Sequence, residues 1–161
     1  MEKKLPLICC FTGHREIVPQ HVKPLAALLD RTLSTLSASG VTTYRTGGAI
    51  GFDTMAALKV LERRESNPEI RLELILPCRD QNAGWADFNQ SAYRYILEHA
   101  DHVRFLHDRY QKGCMFERNR ALVESSHFCI GYCTDDKGGS LYTLRYARSR
   151  DCRIINLAEL L

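Results

Sequence analysis

The chain has 161 residues, 45% of them hydrophobic and 25% charged, and 22 basic against 19 acidic side chains leave a net charge of +3. That length supports one domain with a sizeable core and no comfortable second one, so residues 1–161 are read as a single unit. The charge permits nucleic acid without demanding it. No apolar run approaches a membrane span, and the start has no small-residue cleavage site, so a cytoplasmic protein without a membrane partner is expected.

Leu7 to Phe11 is a continuous apolar run that ends in Thr12-Gly13-His14-Arg15, a buried first strand entering a polar loop. Val22, Leu25, Leu29, Leu33 and Leu36 then recur at helical spacing over Pro19 to Ser39, and Gly40 ends that helix. A second strand, Val41 to Arg45, leads through Thr46-Gly47-Gly48-Ala49-Ile50-Gly51-Phe52-Asp53 into a helix that runs to Arg64. Arg71 to Leu76 reads as a third strand stopped by Pro77, and the aperiodic stretch around Trp85 as a surface loop. A helix from Asn89 to His99, a strand from Val103 to Leu106, a helix from Met115 to Ser125 and a strand from Phe128 to Cys133 follow. A second glycine turn, Asp135 to Ser140, opens a last helix to Arg150, and Arg153 to Asn156 is a sixth short strand. Strands alternating with helices predict one α/β domain of Rossmann-like type, a mostly parallel sheet with helices on both faces.

In such a sheet the loops that follow the strands open on one edge, where ligands bind. That places Gly13, His14 and Arg15 beside the first glycine turn (Gly47, Gly48, Ala49, Gly51 and Asp53), Pro77 and Trp85, Arg118 and Asn119, and the second turn (Gly138, Gly139 and Ser140). A glycine turn between strand and helix aims backbone N–H groups and a positive helix end at one point, which suits an anion such as phosphate. Asp53 can cap N–H groups or accept hydrogen bonds from a ribose. His14 and Arg15 are read as positive charge, and Trp85 either stacks on a base or covers the edge of the core. Taken alone, the first turn is equally well a βα turn that needed glycine for its geometry. Gly48→Val is expected to abolish ligand-induced stabilisation while leaving the fold intact. The seven cysteines show no C-x-x-C pair and read as buried apolar residues, with Cys114 as the one candidate reactive thiol. Neither a metal nor a cofactor is expected.

Thr12-Gly13-His14-Arg15, Gly47 to Asp53 with Ala56-Ala57, Leu76-Pro77, Trp85, Arg118-Asn119 and Lys137-Gly138-Gly139-Ser140 together resemble the YpsA-like domain of the SLOG superfamily, over nearly the whole chain. The resemblance implies a Rossmann-like fold that binds a nucleotide or nucleotide-derived ligand, with a sensor as one role it allows. The first turn is similar to that of DNA-processing protein A (Smf), which implies single-stranded DNA as a possible partner and homo-oligomers as a possible state. Arg145, Arg148, Arg150 and Arg153 form a basic cluster that suits that reading and equally suits a solvated helix end. Met115-x-x-Arg118-Asn119 with the second turn is similar to LOG phosphoribohydrolases, nucleotide N-glycosidases that need an arginine and a carboxylate. Thr143 stands where that family has glutamate, so the catalytic candidates are Arg118, Glu117 and Asp53.

Overall fold

A computed structural model describes residues 5–135 and 137–161. Strands β1 (Leu7–Gly13), β2 (Val41–Thr46), β3 (Arg71–Leu76), β4 (His102–Phe105), β5 (Phe128–Tyr132) and β6 (Arg153–Asn156) form one sheet in the order β4-β3-β2-β1-β5-β6, with every neighbouring pair parallel. Helices α1 (Val22–Ala38), α2 (Phe52–Ser66), α3 (Asp87–His99), α4 (Cys114–Val123) and α5 (Gly139–Ser149) connect them. One-turn 3-10 segments at Pro19–His21 and Leu157–Leu160 open α1 and close the described chain. The α/β expectation holds, and the sheet is parallel throughout.

The sheet buries both faces, as an all-parallel sheet must when its crossovers carry helices. Residues of β1 alternate between the two layers. Cys9 and Phe11 join Leu25, Leu29, Leu33 and Phe52 in the larger core under α1, α2 and α3. Cys10 joins Ile75, Leu122, Cys129 and Leu144 in the smaller core under α4 and α5. The chain steps outward from β1 to β4 and then crosses to β5 on the other side of β1. That reversal opens a crevice between the ends of β1 and β5, since the loops that follow them depart in opposite directions.

Element ends differ from the expected ones by one to three residues; α1 starts at Val22 rather than Pro19, because Pro19–His21 form a 3-10 turn. β1 continues through Thr12 and Gly13 because both pair with β5. α3 starts at Asp87 rather than Asn89, and β4 covers His102–Phe105 rather than Val103–Leu106. All seven cysteines are free and buried. Cys114 is 1% exposed at the start of α4, so its surface-loop reading as a reactive thiol does not survive. No helix among the described residues is long and apolar enough to cross a membrane. No group of three potential metal ligands is found among them.

Candidate functional site

At the carboxyl edge of the sheet lies a cavity of about 290 Å³. Phe11, Thr12, Gly13, His14 and Arg15 enter it from β1 and its loop, Ala49 and Asp53 from the first glycine turn, Met115, Arg118, Asn119 and Leu122 from α4, and Gly139 and Ser140 from the second turn. Two helices, α2 and α5, therefore present their amino ends to one space, while α4 lies along its side. Each helix start carries roughly half a positive charge from its aligned peptide dipoles.

Arg118 is the anchor of the site. It is 6% exposed, its Nε donates to Asn119 Oδ1 at 2.8 Å, and its Nη1 donates to the carbonyl of Gly47. Gln81 Nε2 donates to the same carbonyl at 3.3 Å. A Cβ on Gly47 would sit 2.4 Å from Arg118 Nη1, so this position is glycine to let the guanidinium lie against the backbone. Asp53 is buried beside it, and its Oδ2 accepts the N–H of Ala49 at 3.2 Å. No described residue donates to Oδ1, which leaves that oxygen for the cavity.

Burial pushes the Asp53 carboxyl up to about 6, against the opposing pull of Arg118, the Ala49 N–H and Arg15. Burial likewise lowers Arg118, and Asp53 opposes that. A carboxyl that holds its proton more tightly folded than unfolded favours the native state in acid. Its contribution is complete below the ordinary carboxylate pKa of about 3.9 and is lost as pH rises through about 6. At about 1.4 kcal/mol per tenfold change in proton affinity, the full effect is on the order of 3 kcal/mol. Asp53→Asn should therefore remove a component of this size from the change in urea midpoint between pH 4 and pH 7. Identical pH slopes for the two proteins would show that Asp53 ionises as it does in the unfolded chain.

Several expected site residues are placed elsewhere or used differently. Gly47 and Gly48 are buried and do not line the cavity. Gly48 has φ +71°, and a Cβ there would meet Leu76 Cδ2 at 2.4 Å. Gly48→Val would thus damage the core, and the expectation that it leaves the fold intact is corrected. Gly51, at φ +81°, packs against the backbone of Arg15. The His14 Nε2 accepts the Thr134 N–H at 2.8 Å, so His14 ties the β1 and β5 loops together while it lines the cavity. Pro77 is buried and does not line the cavity. Trp85 packs edge-on against Tyr93 at 5.3 Å and does not reach the cavity, in agreement with the core-edge reading. Asp136 lies outside the described residues; Lys137 and Gly138 are exposed at the approach to α5.

Of the arginine and carboxylate that an N-glycosidase needs, Arg118 and Asp53 both line the cavity. Glu117 faces away from the cavity and pairs with His107 Nε2 at 2.6 Å. Thr143 is fully buried and donates to the Gly139 carbonyl at 2.9 Å within its own helix. Asp53 is the only catalytic candidate with a carboxylate that reaches the cavity. Sequence reading missed Gln81 and Asn156. The Asn156 amide accepts the Cys133 N–H at 3.1 Å and donates to its carbonyl at 3.0 Å, fixing the start of the loop to the second turn. Neither residue stands in a motif, and only the fold brings them to the site.

The order of these motifs and the strand order agree with a profile match that covers most of the chain. The profile of the YspA SLOG family (YpsA) matches residues 10–154. The chain belongs to the YspA SLOG family. It is 28% identical over 121 residues to UPF0398 proteins of Bacillus thuringiensis (strain Al Hakam) and Bacillus cereus (strain AH187), covering 74% of this chain. It spans about 66% of the length of those relatives. Among solved structures it is similar to DNA processing protein A from Helicobacter pylori, with a TM-score of 0.67 at 21% identity over 92% of this chain and 64% of that one. That structure is described by its single-stranded DNA binding mode. DNA processing protein A from Streptococcus pneumoniae gives a TM-score of 0.68 at 18% identity over 92% of this chain and 49% of that one. At these identities the likeness establishes a shared fold alone.

Proposed function

We propose that this SLOG domain binds a nucleotide or nucleotide-derived ligand, and that its phosphate sits at the start of α5. The observation that carries this reading is the convergence of two helix starts, those of α2 and α5, on a cavity holding a buried arginine. Gly139 and Ser140 offer the first-turn N–H groups of α5, which has no side-chain cap, and Ser140 adds a hydroxyl. Arg15 is exposed on the rim and forms no described ion pair, which leaves its planar fork for an anion. At the other end of the cavity, Asp53 Oδ1 is an acceptor for a ribose hydroxyl. Of the groups expected to hold the phosphate, this reading keeps Gly139 and Ser140 and leaves out Gly47 and Gly48, because Asp53 already takes the Ala49 N–H of the first turn.

Gly139→Asp provides the direct test. A Cβ at Gly139 meets nothing closer than Asn119 Nδ2 at 3.9 Å, and a carboxylate in a first helical turn complements the helix dipole, so the fold is retained. The new carboxylate occupies and repels the anion site. Nucleoside monophosphates are expected to raise the melting temperature of the parent protein and to lose that effect in the variant. An equal thermal shift in both proteins would remove the second turn from the site.

Single-stranded DNA is the second reading, supported by the shared fold with a protein whose structure is described by its single-stranded DNA binding mode. Against it, Arg145, Arg148 and Arg150 lie in the later turns or at the end of α5, and Arg153 begins β6, so the basic cluster sits toward the sheet edge opposite the cavity. Arg150 is moreover paired with Glu124 at 3.3 Å. A DNA strand held by phosphates would show log affinity falling steeply with log salt, whereas a mononucleotide would show a shallow dependence.

A further inference from the structure

We propose that the ligand carries an aromatic base, and that the base lies in an apolar groove across the first glycine turn from the phosphate cavity. This inference rests on the reading of the cavity as a phosphate site and adds the class of molecule attached to that phosphate. The groove holds about 500 Å³, within the ~300–1,000 Å³ of small-molecule sites. Its floor is Ile50, Met55 and Leu58, and Phe88 stands on its rim with Asn89 beside it. Phe88 is 82% exposed, Val22 42% and Leu58 38%. One exposed apolar side chain needs no explanation, but these line a single concave surface.

Two features choose the occupant. The first is continuity with the cavity. Residues 49–53 form a ridge, with Ala49 and Asp53 on the cavity side and Ile50 and Gly51 on the groove side, and Arg15 lines both spaces. The second is charge. Arg15 at the cavity end has no described carboxylate partner, whereas Lys59 is committed to Asp30 at 2.8 Å and to Glu62 at 3.8 Å. An occupant is thus drawn with an anionic end at Arg15 and a neutral, flat end over the apolar floor. Phosphate at α5, ribose at Asp53 and base beyond Arg15 follow the order of groups in a nucleotide. Phe88 supplies a ring face for stacking, and Asn89 an amide for the base edge.

The test compares inorganic phosphate, ribose 5-phosphate and adenosine monophosphate by calorimetry on the full chain. Adenosine monophosphate is expected to bind at least about tenfold tighter than ribose 5-phosphate. Phe88→Ala should erase about tenfold of that preference, the size of one lost base–aromatic stack. Because Phe88 is almost entirely solvent-exposed, the variant keeps its fold. Leu58→Glu, on the groove floor away from the cavity, should do the same by an independent route. Equal affinities for the two sugar phosphates, or a preference unchanged in both variants, would overturn the base site while leaving the phosphate cavity standing. Binding of none of the three probes would overturn the cavity reading and this inference with it. A dimer that Leu58→Glu dissociates, with the nucleotide preference unaltered, would assign the groove to a second copy and overturn the proposal.

Discussion

Arg118→Ala is expected to lower stability by about 3–5 kcal/mol, the usual cost of removing one member of a buried charged pair. The guanidinium is 6% exposed and holds the Gly47 carbonyl and the Asn119 side chain. Its loss leaves the buried Asp53 carboxylate without its main counter-charge. For a protein of this size the change corresponds to a fall of about 10 °C in melting temperature. Arg118→Lys keeps a positive charge near Asp53 but loses the planar fork that reaches several acceptors at once, so it should fall between the parent and the alanine variant. Thermal unfolding of the three proteins at pH 7 checks the order. An alanine variant that melts within about 2 °C of the parent, about 1 kcal/mol or less, would show that the first turn and α4 are held by packing alone.

The second large effect separates two glycines that share a positive φ but differ in ψ, −123° at Gly51 and −4° at Gly113. Gly51 has φ +81° and Gly113 has φ +83°. An alanine at Gly113 meets nothing within 4 Å, so Gly113→Ala should cost only the left-handed conformation, about 1–2 kcal/mol. At Gly51 the added Cβ would lie 2.2 Å from the Arg15 carbonyl oxygen, a backbone atom that cannot rotate away. Gly51→Ala should therefore cost at least a further 1–3 kcal/mol for overpacking, or roughly 3 kcal/mol in all. It should also displace Arg15 and weaken nucleotide binding, which Gly113→Ala should leave alone. Urea denaturation of both variants measures the difference, and equal losses would mean that the Arg15 loop yields without resistance.

These two cases show what kind of information a sequence carries about a site. Arg118 could be singled out from its motif, but the motif suggested a group that faces a substrate. In the folded molecule much of its hydrogen-bonding capacity is spent on Gly47 and Asn119, and what remains faces the cavity. His14 shows the same displacement. Its position after the first strand was legible, while its use as an acceptor for the Thr134 N–H depends on a residue 120 positions away. Glu117 could not be told from a cavity residue by spacing, because neighbouring positions on a helix face different ways and His107 decides where it points. The groove around Phe88 left no local signal at all, since its walls come from the β1 loop, α1, the first turn, α2 and α3.

The sequence by itself determined the alternation of strands and helices, the parallel sheet that such alternation requires, and the edge to which both glycine turns belong. Hydrophobic period and glycine placement are local properties, written within ten or twenty residues, and they survive any tertiary arrangement. Only the tertiary structure decided which atoms of those turns remain free for a ligand. That outcome depends on long-range partners competing for the same donors and acceptors: the Gly47 carbonyl goes to Arg118 and the Ala49 N–H to Asp53, while Gly139 and Ser140 are left open. A backbone group satisfied inside the protein gains nothing from a ligand, and no local pattern records which groups will be satisfied.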